Sequence, residues 1–268
     1  MPPVKQLVVV RRKAGLTKEE FFDYHYQKHG AISTAPTAAE TPTKYFQTHF
    51  IDAAYHADTS QKVPNAHPPW AFGDDVTELY FDSPEHLQHV FQSEWVIQKV
   101  GPDAAKFSDF SAVLPMFVRE DTRFLSSGGA SQRGQLEGNA FVAMYFVAVR
   151  NPETPTETLT SELVECLDCH ASEEVQALIV NTAVDEDFNL GDYFGGKLPV
   201  RYQLVFTIAL RGKGSISAIR KAQKNFEERI TSLDLSATWI AFGERAVVLD
   251  QTKNIKFDAS RQPFKNSK

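Results

Sequence analysis

Residues 4–32 read VKQLVVVRRKAGLTKEEFFDYHYQKHGAI, and the rest of the fold can be worked outward from them. Residues 4–12 are dominated by β-branched side chains and end before Gly15, which predicts a strand. From residue 16 the pattern changes: Thr17 is followed three residues later by Glu20, the capping box that opens a helix, and the helix is expected to run to about His29. Its turns gather Phe21, Phe22, Tyr24, His25, Tyr26 and His29. His25 and His29 are four apart and share one helical face. An imidazole among apolar rings is a group suited to moving protons near neutral pH.

The strand–helix pair has a matching continuation. Residues 44–55 (KYFQTHFIDAAY) and 76–81 (VTELYF) read as strands. Ser83 and Pro84 open a helix expected over 83–100, and residues 111–118 form a fourth strand. After the Gly/Ser/Gln-rich stretch FLSSGGASQRGQLEGN the order repeats: strand 141–150, helix 156–174, strands 177–184 and 202–210, helix 216–230, strand 237–249. The order β-α-β-β-α-β, twice, predicts an α+β protein of two fused ferredoxin-like halves. These are residues 1–123 and 140–250, with a linker at 124–139 and a tail at 251–268. Each half would leave one sheet face bare, so the two sheets are expected to stack into a pseudo-dimeric α/β barrel within one chain, with homodimerisation left open.

Composition narrows the function classes. The chain has 268 residues, 42% of them hydrophobic, and a net charge of −6, which argues against a general nucleic-acid binder. No run approaches the roughly 18–20 apolar residues of a membrane span, and the apolar start is too short for a signal peptide. The expectation is a cytoplasmic protein with neither nucleic acid nor membrane as partner. Cys166, Cys169 and His170 spell the haem-attachment pattern, but inside an amphipathic helix and without an export signal; half-buried structural cysteines are the better reading. No phosphate loop, dinucleotide fingerprint or GxSxG is present. His25 and His29 have helical metal-pair spacing, yet Tyr26, Gln27 and Lys28 between them supply no base and Lys28 opposes a cation. Neither metal nor organic cofactor is expected.

The first half resembles the EthD family of dimeric α/β-barrel proteins. The likeness is carried by VKQLVVVRR, LTKEEFFDYHYQKHGAI, KYFQTHF, DVTELYFDSPEHLQHVF and GPDAAKFSDF, in that order over residues 4–118. Ala31 stands where many members have proline after the His-Gly pair. In the second half Ala171 and Ser172 stand where Gly30 and Ala31 do, so that half reads as a degenerate copy. The resemblance implies an enzyme that dehydrates, decarboxylates or cyclises a polyketide-type or aromatic intermediate. Other members are auxiliary proteins, and related barrels bind haem or are cofactor-free monooxygenases. A lyase or cyclase of secondary metabolism is therefore expected, working on a small apolar or aromatic metabolite. The alternatives are a non-catalytic carrier of such a metabolite and a haem-binding barrel.

Candidate residues follow, each with a structural alternative. His29 ends its helix and is a general acid–base, or a cap on the last carbonyls. Tyr45 and His49 alternate with Phe46, Thr48 and Phe50, so they line a cavity as catalytic donors and acceptors or lie on a solvent face. His49 is expected to point inward. Glu78 orients a histidine, serves as a base with a raised pKa, or sits at an edge. His25, Phe22, Trp70 and Trp95 contact the substrate or pack in the core. Asp103 and Asp109 read as loop and cap residues.

Overall fold

The computed structural model describes residues 3–34, 37–126, 136, 138–186, 188–194 and 200–265. Its first strand, β1 (Val4–Val10), is buried at all seven positions, so both its faces are covered. One face meets helices and the other meets the inside of a barrel. The remaining strands are β2 (Lys44–Tyr55), β3 (Asp75–Phe81), β4 (Leu114–Arg123), β5 (Ala140–Val147), β6 (Val175–Val184), β7 (Leu204–Leu210) and β8 (Trp239–Asp250). They close in the order β1-β3-β2-β8-β5-β7-β6-β4, with every neighbour antiparallel.

This closure corrects the expected form. Two fused ferredoxin-like halves stacked sheet on sheet would leave four free edges and a cavity between the sheets. Instead β2 pairs with β8 from Lys44↔Asp250 to Tyr55↔Trp239, and β4 pairs with β6 from Phe117↔Val184 to Arg123↔Leu178. The halves thus share one continuous sheet. The physical reason is edge satisfaction: unpaired strand edges are aggregation templates, and a closed barrel has none. At the β2–β8 seam Gly243 lies so close to β2 that a Cβ would overlap the His49 carbonyl oxygen, next to a register shift between Phe50 and Asp52.

An eight-stranded barrel has an interior that side chains can fill, and here they do. Leu7, Val9, Phe50, Val76, Leu114, Val142, Met144 and Trp239 form one buried cluster, with Trp239 stacked on Phe146 at 4.2 Å between centroids. Further along the interior Glu78 pairs with Arg245 (2.6 Å) and Lys5 (3.0 Å), and Lys5 also reaches Glu120 and Asn181. Arg245 lies 3.6 Å over the Phe46 ring.

Among the described residues the α-helices longer than one turn cover the outside: α1 (Lys18–Asp23), α2 (Pro84–Gln92), α3 (Thr156–Ala171) and α4 (Ile216–Arg229). The capping box forms as read: Glu20 N–H donates to Thr17 Oγ1 (3.2 Å) and Thr17 N–H to Glu20 (2.7 Å). After Asp23 the helix widens into a π-helical segment, Tyr24–Gly30, and returns to α geometry only over Ala31–Ser33. The expected helix over 83–100 is interrupted at Ser93, whose backbone is extended, and resumes as a π turn at Val96–Val100. The stretch 111–118 begins with a 3₁₀ turn at Phe110–Ala112 before β4 starts. Most of the expected linker, residues 127–135 and 137, lies outside the described residues. Among the described residues no helix is long and apolar enough to cross a membrane.

Candidate functional site

The site is built on the outer face of β1–β3 where the π-helical segment crosses it. Strand alternation sends Gln6, Val8 and Val10 of β1, Tyr45, Gln47 and His49 of β2, and Asp75, Thr77 and Leu79 of β3 toward the helices. Gln6, Val8, Val10, Tyr45, Thr77 and Leu79, together with the segments around Val96–Val100 and Phe107, line a cavity of about 240 Å³ whose wall also includes His25 and His29. This is where the hollow lies. It lies outside the barrel, whose interior is occupied by its own side chains.

A π turn is wider than an α turn, so residues four apart fall closer to one azimuth. The His25 and His29 rings lie 5.5 Å apart, and Phe107 stacks on His25 at 4.6 Å. Each imidazole has a carboxylate from a distant element. His29 Nδ1 is 3.0 Å from Asp103 Oδ2, and Asp103 Oδ1 accepts from the Tyr24 hydroxyl (2.8 Å) and the Lys106 ammonium (2.9 Å). His25 Nδ1 bonds Asp75, and its Nε2 lies 3.4 Å from the Thr77 hydroxyl. Among the described residues the hydrogen bond of the His29 ring is made through Nδ1, not Nε2.

Electrostatics separate the two pairs. Burial lowers the His29 pKa against the pull of the Asp103 hydrogen bond, so the ring is neutral at neutral pH. Asp103 is held well below the carboxylate range, first by the hydrogen bond with His29, then against burial by Lys106 and Tyr24. The result is a neutral imidazole oriented by an ionised carboxylate. In the deeper pair, burial takes His25 down to about 3 and pushes Asp75 up, because burial disfavours the charged form of each. Burial also raises the Tyr45 phenol, which stays protonated, and Gln47 Nε2 donates to its oxygen.

Of the residues expected from sequence, His25, His29 and Tyr45 converge on the cavity. His49 does not point into the barrel: it lies on the outer face, stacked on Phe22 at 4.2 Å and hydrogen-bonded to Gln47 at 3.0 Å, and burial followed by the nearby His25 lowers its pKa. Phe22 is thereby a packing partner of His49. Glu78 is inside the barrel, where Arg245 and Lys5 overcome the burial cost and hold it at about 2; it is an ionised salt-bridge partner, not a base of raised pKa. Trp70 packs with Trp239 and Tyr202 in the cluster that fills the barrel, and Trp95 donates to the Ile32 carbonyl (2.9 Å). Sequence reading missed Asp75, Asp103 and Gln6. Asp103 is 2% exposed, not a loop residue in water. The only local signal was an acidic residue three positions before Lys106. Among the described residues no group of three or more His, Cys, Asp or Glu side chains is arranged to hold a metal ion.

Residues 13–111 match the family model described as EthD domain. A structure described as an anthrone oxidase-like protein superposes with a TM-score of 0.55 at 11% identity, covering 93% of this chain and 94% of that one. A chlorite dismutase from Candidatus Nitrospira defluvii in complex with imidazole gives 0.45 at 6% identity, with 92% of each chain covered. None of the curated proteins compared matches the sequence. At 11% identity the likeness to the anthrone oxidase-like structure shows a shared fold alone.

Proposed function

We propose that the EthD domain at residues 13–111 carries an acid–base site for a small, planar, apolar metabolite of aromatic or polyketide type. One observation carries this reading: His29, neutral and set by an ionised Asp103, stands at the wall of a sheltered, largely apolar cavity. His29 Nε2 takes a proton from a carbon next to a substrate carbonyl. Asp103 receives the Nδ1–H and stabilises the imidazolium that forms. The Tyr45 hydroxyl donates to the oxygen on which negative charge develops, in a largely apolar site. The enolate then expels a leaving group that His29 protonates, or closes a ring onto a second carbonyl. Either course makes the protein a lyase or cyclase that needs no bound cofactor.

The anthrone oxidase-like fold neighbour favours a second fate for the same carbanion, oxidation by dioxygen. Both begin with the His29 step, and product analysis separates them. Purified full chain would be given a hydroxyanthrone and a linear β-polyketone, with products followed by mass spectrometry and oxygen by electrode. Turnover that falls by about 10²–10⁴ in His29→Ala, with ligand binding retained, is the expected result. Oxygen uptake selects the oxidative branch. Undiminished turnover in His29→Ala overturns the proposal, and binding without turnover in the wild type makes the protein a carrier.

A further inference from the structure

The acid–base assignment leaves one cavity residue unexplained. Gln6 is 0% exposed and lines the cavity, yet among the described residues neither its Nε2 nor its Oε1 has a hydrogen-bond partner. Buried amides without partners cost stability and are rare, so each calls for an explanation. β1 is flanked on both sides, with Gln6 opposite Leu79 on β3 and Phe117 on β4, and Leu79 also faces the cavity. An apolar residue is the ordinary choice here, as at Val8 and Val10 on the same face.

An amide offers one donor and one acceptor side by side. Its complement is a ligand edge presenting an acceptor and a donor in the same order, closing two hydrogen bonds at once. The cavity wall includes neither Lys nor Arg among the described residues, so a charged carboxylate is disfavoured and the neutral form is selected. We infer that Gln6 determines substrate specificity, pairing with a carboxamide, a protonated carboxyl or an adjacent hydroxy–carbonyl pair on the rim of a planar apolar ring. This rests on the reading of the cavity as a metabolite site, and it adds which ligand edge the site reads. Ser33, whose Oγ is also buried without a partner, lines the same cavity.

The test compares 2-naphthamide with its near-isostere 2-isopropenylnaphthalene, which lacks both polar groups, by calorimetry on the full chain. The wild type is expected to prefer the amide by about tenfold or more, because a site with buried polar groups rejects a ligand that leaves them unpaired. In Gln6→Leu the preference falls below about twofold, and the ligand-free variant melts about 2–4 °C higher because an unpaired amide has gone. Equal affinities in the wild type, no binding of either probe, a preference that survives Gln6→Leu, or a lower melting temperature in that variant would each overturn the inference. His29→Ala keeps the two readings apart. Amide preference in the wild type without any turnover sinks catalysis and leaves recognition standing; turnover lost in His29→Ala, without a Gln6-dependent preference, does the reverse.

Discussion

The barrel carries helices over two regions of its outer face, and the two are used in opposite ways. Over β5–β8, α3 and α4 lay down Leu159, Leu163, Leu167, Ile219 and Phe226 against Tyr145, Val180, Phe206 and Ile240, forming one continuous buried cluster. Over β1–β3 the covering segment is half π-helical, places two histidines inward and leaves about 240 Å³ unfilled. The same layering therefore supports a packed interface in one place and a sheltered site in the other. Apolar burial in the first region stabilises the fold. The second region tolerates an unfilled volume, a buried His25–Asp75 pair and an unpaired amide, each of which works against stability.

The largest test of this contrast is Phe226→Ala, expected to cost about 3–5 kcal/mol in urea unfolding, because it opens a void in the filled region. A matched pair of insertions comes next. Ala222→Leu overpacks α4 and should cost about 1–3 kcal/mol, whereas Ala104→Leu projects toward the cavity and should leave the melting temperature nearly unchanged while abolishing naphthamide binding. Equal losses in the two variants would break the comparison. Asp103→Asn should lower turnover about tenfold or more and move the acid limb of the rate profile to lower pH, since the hydrogen bond that favours the His29 proton is weakened.

The smallest effect is the pH dependence of stability. His29 and Asp103 both have folded pKa values below their ordinary ones, so the unfolded chain binds their protons more readily than the folded one. Their contribution is full above pH about 6.5, declines as His29 would protonate in the unfolded chain, and declines again below about pH 4 through Asp103. Melting temperatures at pH 7.5, 6 and 5 should fall, and His29→Gln should flatten the part between 6.5 and 5. A slope identical in the two proteins would remove His29 from the account.

Several particulars were legible before any coordinates. The Thr17–Glu20 box, the Ser83–Pro84 helix start and the strand at residues 44–55 are set by local sterics and hydrogen bonding. The shared face of His25 and His29 was also legible. The switch to π geometry was not, because it depends on how Tyr24, His25 and His29 meet Asp103 and Phe107. The orientation of His49 was ambiguous for a related reason: alternation shows that two faces exist, but not which one meets the helices.

Sequence by itself determined where strands and helices begin, and that the first half carries an EthD-like order of motifs. These follow from periodicity and capping over a few neighbouring residues. Tertiary structure alone decided that the sheet closes edge to edge, that Glu78 is salt-bridged inside the barrel, and that Asp75 and Asp103 reach histidines 50 and 74 residues away. Such pairings depend on closing long loops and on the cooperative packing of elements distant in sequence. No local pattern encodes them.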